Sequence, residues 1–300
     1  MAAPSSKPFK TIDQLTDLLI EERGLNCQDS NALKEFLTNM NYYRFSGYAR
    51  HWQEDPRHGK NNFMPSTNFS HICEIMLKDH QLRHLLLEQI SYVETATKTR
   101  YAHALGQSYG NGAFYLKPEL YFPNTTHDGE PINVPGGLLS DIQRSNSKMI
   151  LHYRSDHLDN AYAGYEKLPI WVAVEVISLG KFSRMLSDFK DNGPAKAVTS
   201  GLGIQWVPFP NTLHSISTLR NRCAHHSQLW HRPLDIAAPV PKKLRPKQMK
   251  YSNQSVFSTI IMLNDYRKHI DGDTSVSKAI TDLIGSDSDY QEGICYPSPK

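Results

Sequence analysis

Apolar residues recur at helical spacing along most of the chain. Leu15, Leu18 and Leu19 follow the cap candidate Thr11 and stop at Gly24, which predicts a helix from about Thr11 to Glu22. Leu33, Phe36 and Leu37 predict another near Asp29 to Met40. The aromatic run from Asn41 to Trp52 and a polar Pro/Gly/Asn loop to about Asn68 come next. His71 to Leu105 lacks Gly and Pro and carries the stripe Ile72, Ile75, Leu82, Leu86 and Val93, so it reads as the longest helix or as a broken pair. Pro118 to Gly137 reads as a loop, and Leu138 to about His157 as a weaker helix. Pro169 opens a helix with Trp171, Val174 and Ile177 inward, interrupted at Gly180 and resumed through Phe182, Met185, Leu186 and Phe189. A helix starting at Pro210 carries NTLHSISTLRNRCAHH, and late helices cover about Val256 to His269 and Ser275 to Leu283. Alternating strand-type runs are nearly absent and there are no repeats, so the fold class is all-α.

Composition narrows the function less than the pattern narrows the fold. A net charge of +3 over 300 residues does not demand a polyanionic partner, so nucleic-acid binding has to rest on local clusters. MAAPSSKPFK holds no apolar core, and the apolar stretch after Pro169 is short and carries Glu175, so neither a signal peptide nor a membrane span is expected. Cys27, Cys73, Cys223 and Cys295 are too widely spaced for a metal knuckle or a disulfide framework. They read as small buried apolar residues, in keeping with a reducing cytoplasm.

On the helix after Pro210, a step of about 100° per residue puts Leu213, Ile216, Arg220, Cys223 and Ala224 on one stripe. An arginine in an apolar face needs a carboxylate, and Glu94 and Glu175, on other apolar-striped helices, are the candidates. Asn221 and His225, four residues apart, share a face on which the amide orients the imidazole. Arg220 and His225 stand about 140° apart on a straight helix. Either the helix bends or ends here, or two copies of the motif combine across a dimer. His214, His225, His226 and His231 lack the paired spacing of a zinc site. Tyr42, Tyr43, Phe45 and Tyr48 with Arg44 and Arg50 suit either base stacking or core packing. Lys242, Lys243, Arg245, Lys247 and Lys250 form a basic stretch, followed by an acidic tail.

The run LRNRCAHHSQLWHRP, Leu219 to Pro233, resembles the Abi-like (AbiD/AbiF) abortive-infection proteins of the HEPN superfamily of helical-bundle RNases. So do NYYRFSGY at Asn41 to Tyr48, YVETATKTRYAHAL at Tyr92 to Leu105 and LPIWVAVEVISLGKFSRM at Leu168 to Met185. The resemblance implies a HEPN-type bundle in residues 71–235, with an N-terminal helical and aromatic segment in 1–70, and a basic linker, C-terminal helices and acidic tail in 236–300. It implies a metal-independent endoribonuclease of an abortive-infection or toxin–antitoxin system, without cofactor. Arg220 would hold phosphate, His225 would move a proton, Asn221 would orient it, and His226 is a second candidate. Arg222, Lys242, Lys243 and Arg245 are candidate RNA contacts. RNA is the implied partner, as substrate or as a regulatory RNA, and a single motif per chain implies a homodimer. The alternatives are a non-catalytic RNA-binding protein of the same superfamily and a structural dimer in which Arg220 completes a buried ion pair.

Overall fold

The structure, a computed structural model, describes residues 8–155, 163–247 and 249–299. Thirteen α-helices and one small hairpin are present among the described residues, so the protein is mostly α. The chain opens with α1 (Ile12–Asp17), in which Thr11 and Gln14 form a reciprocal capping box. A wider π turn, Leu18–Glu22, carries the helix on to the end expected for it. Asp29 caps α2 (Ser30–Asn39) and Asn41 caps α3 (Tyr42–Ala49), each through its side-chain oxygen. The polar stretch read as a loop contains an antiparallel hairpin, β1 (Gln53–Asp55) and β2 (Lys60–Phe63).

The 41-residue α4 (Phe69–Tyr109) is one unbroken helix about 60 Å long and forms the axis of the molecule. Around it come α5 (Val134–Arg144), α6 (Lys148–Tyr153), α7 (Ile170–Ala173), α8 (Leu179–Asp188), α9 (Gly193–Leu202) and α10 (Phe209–Ala224). The chain closes with α11 (Val256–Asp271), α12 (Ser275–Gly285) and α13 (Ser288–Cys295). Helices α7, α9, α10, α11 and α12 all pack against α4. One continuous apolar core runs from Leu19 to Cys295 and draws on all three segments of the chain.

Further expectations need correction, among them the loop to Gly137, since α5 already begins at Val134. The weaker helix is two, α5 and α6, and the end expected at His157 lies outside the described residues. The break after Pro169 falls before Ser178, so Gly180 sits inside α8. Trp171 is exposed, whereas Val174 and Ile177 are buried as expected. The acidic tail is α13, whose Tyr290, Ile294 and Cys295 are buried. Its Asp287 and Asp289 pair with Lys78 and His71 of α4.

Candidate functional site

The site is the carboxyl end of α10. Leu213, Ile216, Leu219 and Cys223 are fully buried against α4 and α8, each large aliphatic group contributing about 1.5–3 kcal/mol by burial. The helix stops at Ala224, with His225 as its cap. His226 follows in the left-handed conformation, φ +54°, which favours glycine. The His226 N–H donates to the Cys223 carbonyl and the Ser227 N–H to the Arg222 carbonyl, closing a Schellman turn with histidine in the usual glycine position. His225 is thus the last residue on the helix cylinder, and the chain leaves the cylinder at His226.

Arg220 is exposed and hydrogen-bonds the Asn221 amide oxygen at 3.3 Å. This corrects the expected buried arginine. Helix α8 runs antiparallel to α10, with Arg184 and Asp188 beside His214 and Gly180 beside Ser217. Leu219 and Cys223 on either side of Arg220 stay buried, so Arg220, about 60° around the helix from Cys223, lies at the margin of the buried face and not within it. The Asn221 oxygen faces Arg220, and among the described residues no hydrogen bond reaches the His225 or His226 ring.

Buried arginines lie elsewhere, Arg267 on α11 with Asp271 and Asp273, and Arg83 on α4. On α4, Arg83 and Asp79 pair at 2.6 Å with side chains 6% and 0% exposed. Asp79 also accepts from the backbone N–H groups of Leu229 (3.0 Å) and Trp230 (3.2 Å) and from the hydroxyls of Tyr48 (2.5 Å) and Tyr290 (3.4 Å). Five donors therefore meet one carboxylate, which holds the segment following the motif against α4. Burial pushes the Asp79 carboxyl above its ordinary range, against the pull of Arg83 and of these donors. Arg83 also donates to the Ser227 carbonyl at 3.3 Å, and Arg44 of α3 donates to the His226 carbonyl at 2.6 Å. Two guanidinium groups thus satisfy the chain where α10 ends, the end at which a helix dipole favours cations. Trp230 is fully buried, stacked on Trp52, and its indole N–H donates to the Asp289 carbonyl. A Cβ on Gly293 would lie 2.1 Å from that indole nitrogen, so glycine is required there.

Sequence reasoning missed His80 and His84. They stand four apart on the exposed side of α4, with ring centroids 4.4 Å from each other. Partial burial, then the charges of His84, Arg83 and His226, hold the His80 imidazole below its ordinary pKa. The available signal was a His-x3-His spacing off the apolar stripe of a long helix. Arg44 was legible only as part of the aromatic run, within which Phe45 and Tyr48 are buried and Tyr43 is exposed.

Other candidates stand apart. Glu94 pairs with Lys98 at 2.5 Å, and Lys98 also donates to the Ile177 carbonyl, while Glu175 is exposed. Neither is the expected partner of Arg220. Arg222 points away from Arg220, donating to the Arg232 carbonyl and pairing with Asp235 at 3.6 Å. Lys242 and Lys243 lie on a short 3-10 turn packed on α11, and Arg245 lines a cleft with Pro208 and Asn211 at the amino end of α10. From Asn211 to Arg220 the helix rises about 14 Å, so this basic stretch is separate from the motif. No helix among the described residues is long and apolar enough to cross a membrane.

The matched part of the chain contains the whole arrangement. Residues 35–231 match the family described as Abi-like protein, a span that takes in α3, α4, α10 and the turn after it. The chain belongs to the Abi-like family. Comparison with curated proteins and with solved structures returns no significant match. Membership of the Abi-like family implies a role in abortive infection. The matched span includes Arg44, Asp79, Arg83, Arg220 and the paired histidines.

Proposed function

We propose that this Abi-like protein is a HEPN-type, metal-independent endoribonuclease that cleaves RNA through attack of the 2′-hydroxyl on the adjacent phosphate. The observation that carries this reading is the exposure of Arg220, Asn221, His225 and His226 together at the end of a helix that is otherwise buried on three of its neighbours. A permanent, forked cation suits a phosphate in flight, and an imidazole suits proton transfer near neutral pH. Arg220 holds the phosphate and His225 transfers a proton, with Asn221 fixing the guanidinium through the hydrogen bond at 3.3 Å.

The reaction requires one proton taken from the 2′-oxygen and one delivered to the departing 5′-oxygen. With one Arg-Asn-x3-His motif in the sequence, a homodimer places two motifs at one cleft, since Arg220 and His225 of a single helix diverge by about 140°. The protein works in the cytoplasm, with RNA as substrate or regulator.

The test is a cleavage assay on single-stranded RNA in excess chelator. Cleavage that persists there and yields 2′,3′-cyclic phosphate ends supports the reading, and DNA or RNA with 2′-deoxy at the cleaved position resists because it lacks the nucleophile. Cleavage abolished by chelator and restored by Mg²⁺ or Mn²⁺ contradicts it. RNA bound by the wild type but never cut identifies a non-catalytic RNA-binding protein.

A further inference from the structure

We infer that His80, backed by His84, is a second proton-transfer residue of the cleavage site. This rests on the ribonuclease reading above and holds whether the site is used by one chain or shared by two. The geometry is local and specific. Asp79 and Arg83 bind the segment 227–230 directly, and Arg44 binds the His226 carbonyl, so the turn of α4 between Asp79 and His84 is tied to the end of the motif. His80 follows Asp79 and His84 follows Arg83, and both rings emerge on the exposed side of that turn in edge-to-face contact at 4.4 Å.

The pair has no evident structural duty. Among the described residues no hydrogen bond reaches either ring, and both rings are exposed where a core helix would tolerate any polar side chain. The charged groups that act on His80 are His84 and Arg83 on α4 and His226 on the turn, with Arg44 of α3 bound to the His226 carbonyl. Asp79 is already consumed by Arg83 and four further donors. Paired exposed imidazoles beside His226 of the motif suit a phosphodiester.

In the cleavage, the bond from the 2′-oxygen to phosphorus forms as the bond from phosphorus to the 5′-oxygen breaks. His80 takes the proton from the 2′-hydroxyl and His225 gives one to the 5′-oxygen, leaving a 2′,3′-cyclic phosphate and a 5′-hydroxyl with no other reactant. Partial burial, and after it the charges of His84, Arg83 and His226, favour the neutral, accepting form of the His80 imidazole. His84 keeps that ring in place and disfavours its protonation.

The experiment compares wild type, Arg220→Ala, His80→Asn, His84→Asn and the double histidine variant, using a defined RNA oligonucleotide from about pH 5 to about pH 9. Its 2′-deoxy-substituted counterpart serves as a binding probe. The inference predicts that the double variant melts with the wild type and binds the probe equally, while kcat falls about 100-fold or more and the acid limb of the pH profile flattens. His80→Asn alone reproduces most of that loss. A double variant with wild-type kcat and pH profile, or one whose defect lies wholly in KM and probe binding, overturns the inference while leaving Arg220 and the ribonuclease reading intact. A wild type that never cleaves RNA overturns both.

Discussion

Asp79 and Arg83, one turn apart on α4, pair at 2.6 Å in the interior and hold the chain that leaves α10. A buried ion pair is weak evidence for stability in itself, but removing one partner strands the other charge away from water. Asp79→Ala additionally leaves the N–H groups of Leu229 and Trp230 unpaired. Each of Asp79→Ala and Arg83→Ala is expected to lower unfolding free energy by about 3–5 kcal/mol. Tyr48→Phe, which removes one of five donors, is expected to cost about 1 kcal/mol. Urea unfolding of the three variants checks the order.

Arg220 behaves in the opposite way. Because it is exposed and its one described hydrogen bond is to its neighbour Asn221, Arg220→Ala is expected to change stability by no more than about 0.5 kcal/mol. A melting temperature equal to that of the wild type makes any loss of activity in this variant chemical and not structural. A fall comparable to that of Arg83→Ala would return Arg220 to the buried role its place on the helical wheel suggests.

His226 occupies a backbone conformation that costs an L-residue about 1 kcal/mol. His226→Gly removes that strain along with the imidazole. The expected outcome is a melting temperature equal to or above that of the wild type, with weakened RNA cleavage or binding. Thermal melts alongside the cleavage assay separate the two effects. His226→Val at the same place is expected to destabilise, since a β-branched residue fits the left-handed region poorly.

Acid sensitivity has a separate origin, at the start of α8. Burial alone would raise the Asp141 carboxyl, but Lys181, the Ser178 N–H and Arg144 outweigh it and hold the group at about 2. A carboxylate whose folded pKa lies below its unfolded value contributes stability that is present above about pH 4 and lost as pH falls towards about 2. Arg144 and Lys181 are in contact with solvent, which limits the contribution to about 1–2 kcal/mol. Asp141→Asn is expected to lower stability by that amount at pH 7 and by almost nothing near pH 2. Urea midpoints across that range check it.

Most of the helices were legible because their apolar stripes, caps and breakers agree: Thr11, Asp29 and Gly24 mark the ends they were expected to mark. Helix α13 is short and its apolar residues are too few to set a period, while in α9 the helical spacing of Ala195, Val198 and Leu202 is masked by Gly193, Pro194 and Gly201. The hairpin has strands of three and four residues, below the length at which alternation shows. The motif itself was legible, but its burial was not. A helical wheel puts Arg220 within the apolar stripe, whereas the face that stays buried to the end of α10 is the one that carries Leu219 and Cys223. The demand for a buried arginine–carboxylate pair is met one helix away, by Asp79 and Arg83, four apart within the α4 stripe between Ile75 and Leu86. His80 and His84 escaped because His226, whose charge reaches His80, lies far off in sequence and meets it only through the fold.

RNA cleavage at the end of α10 is the proposed activity. It is tested most directly by incubating wild type and Arg220→Ala, matched for melting temperature, with single-stranded RNA in excess chelator and analysing the product ends. Wild-type cleavage to 2′,3′-cyclic phosphate and 5′-hydroxyl termini is expected, with at least about 100-fold less from Arg220→Ala. Equal cleavage by the two proteins, or none by the wild type, would contradict it.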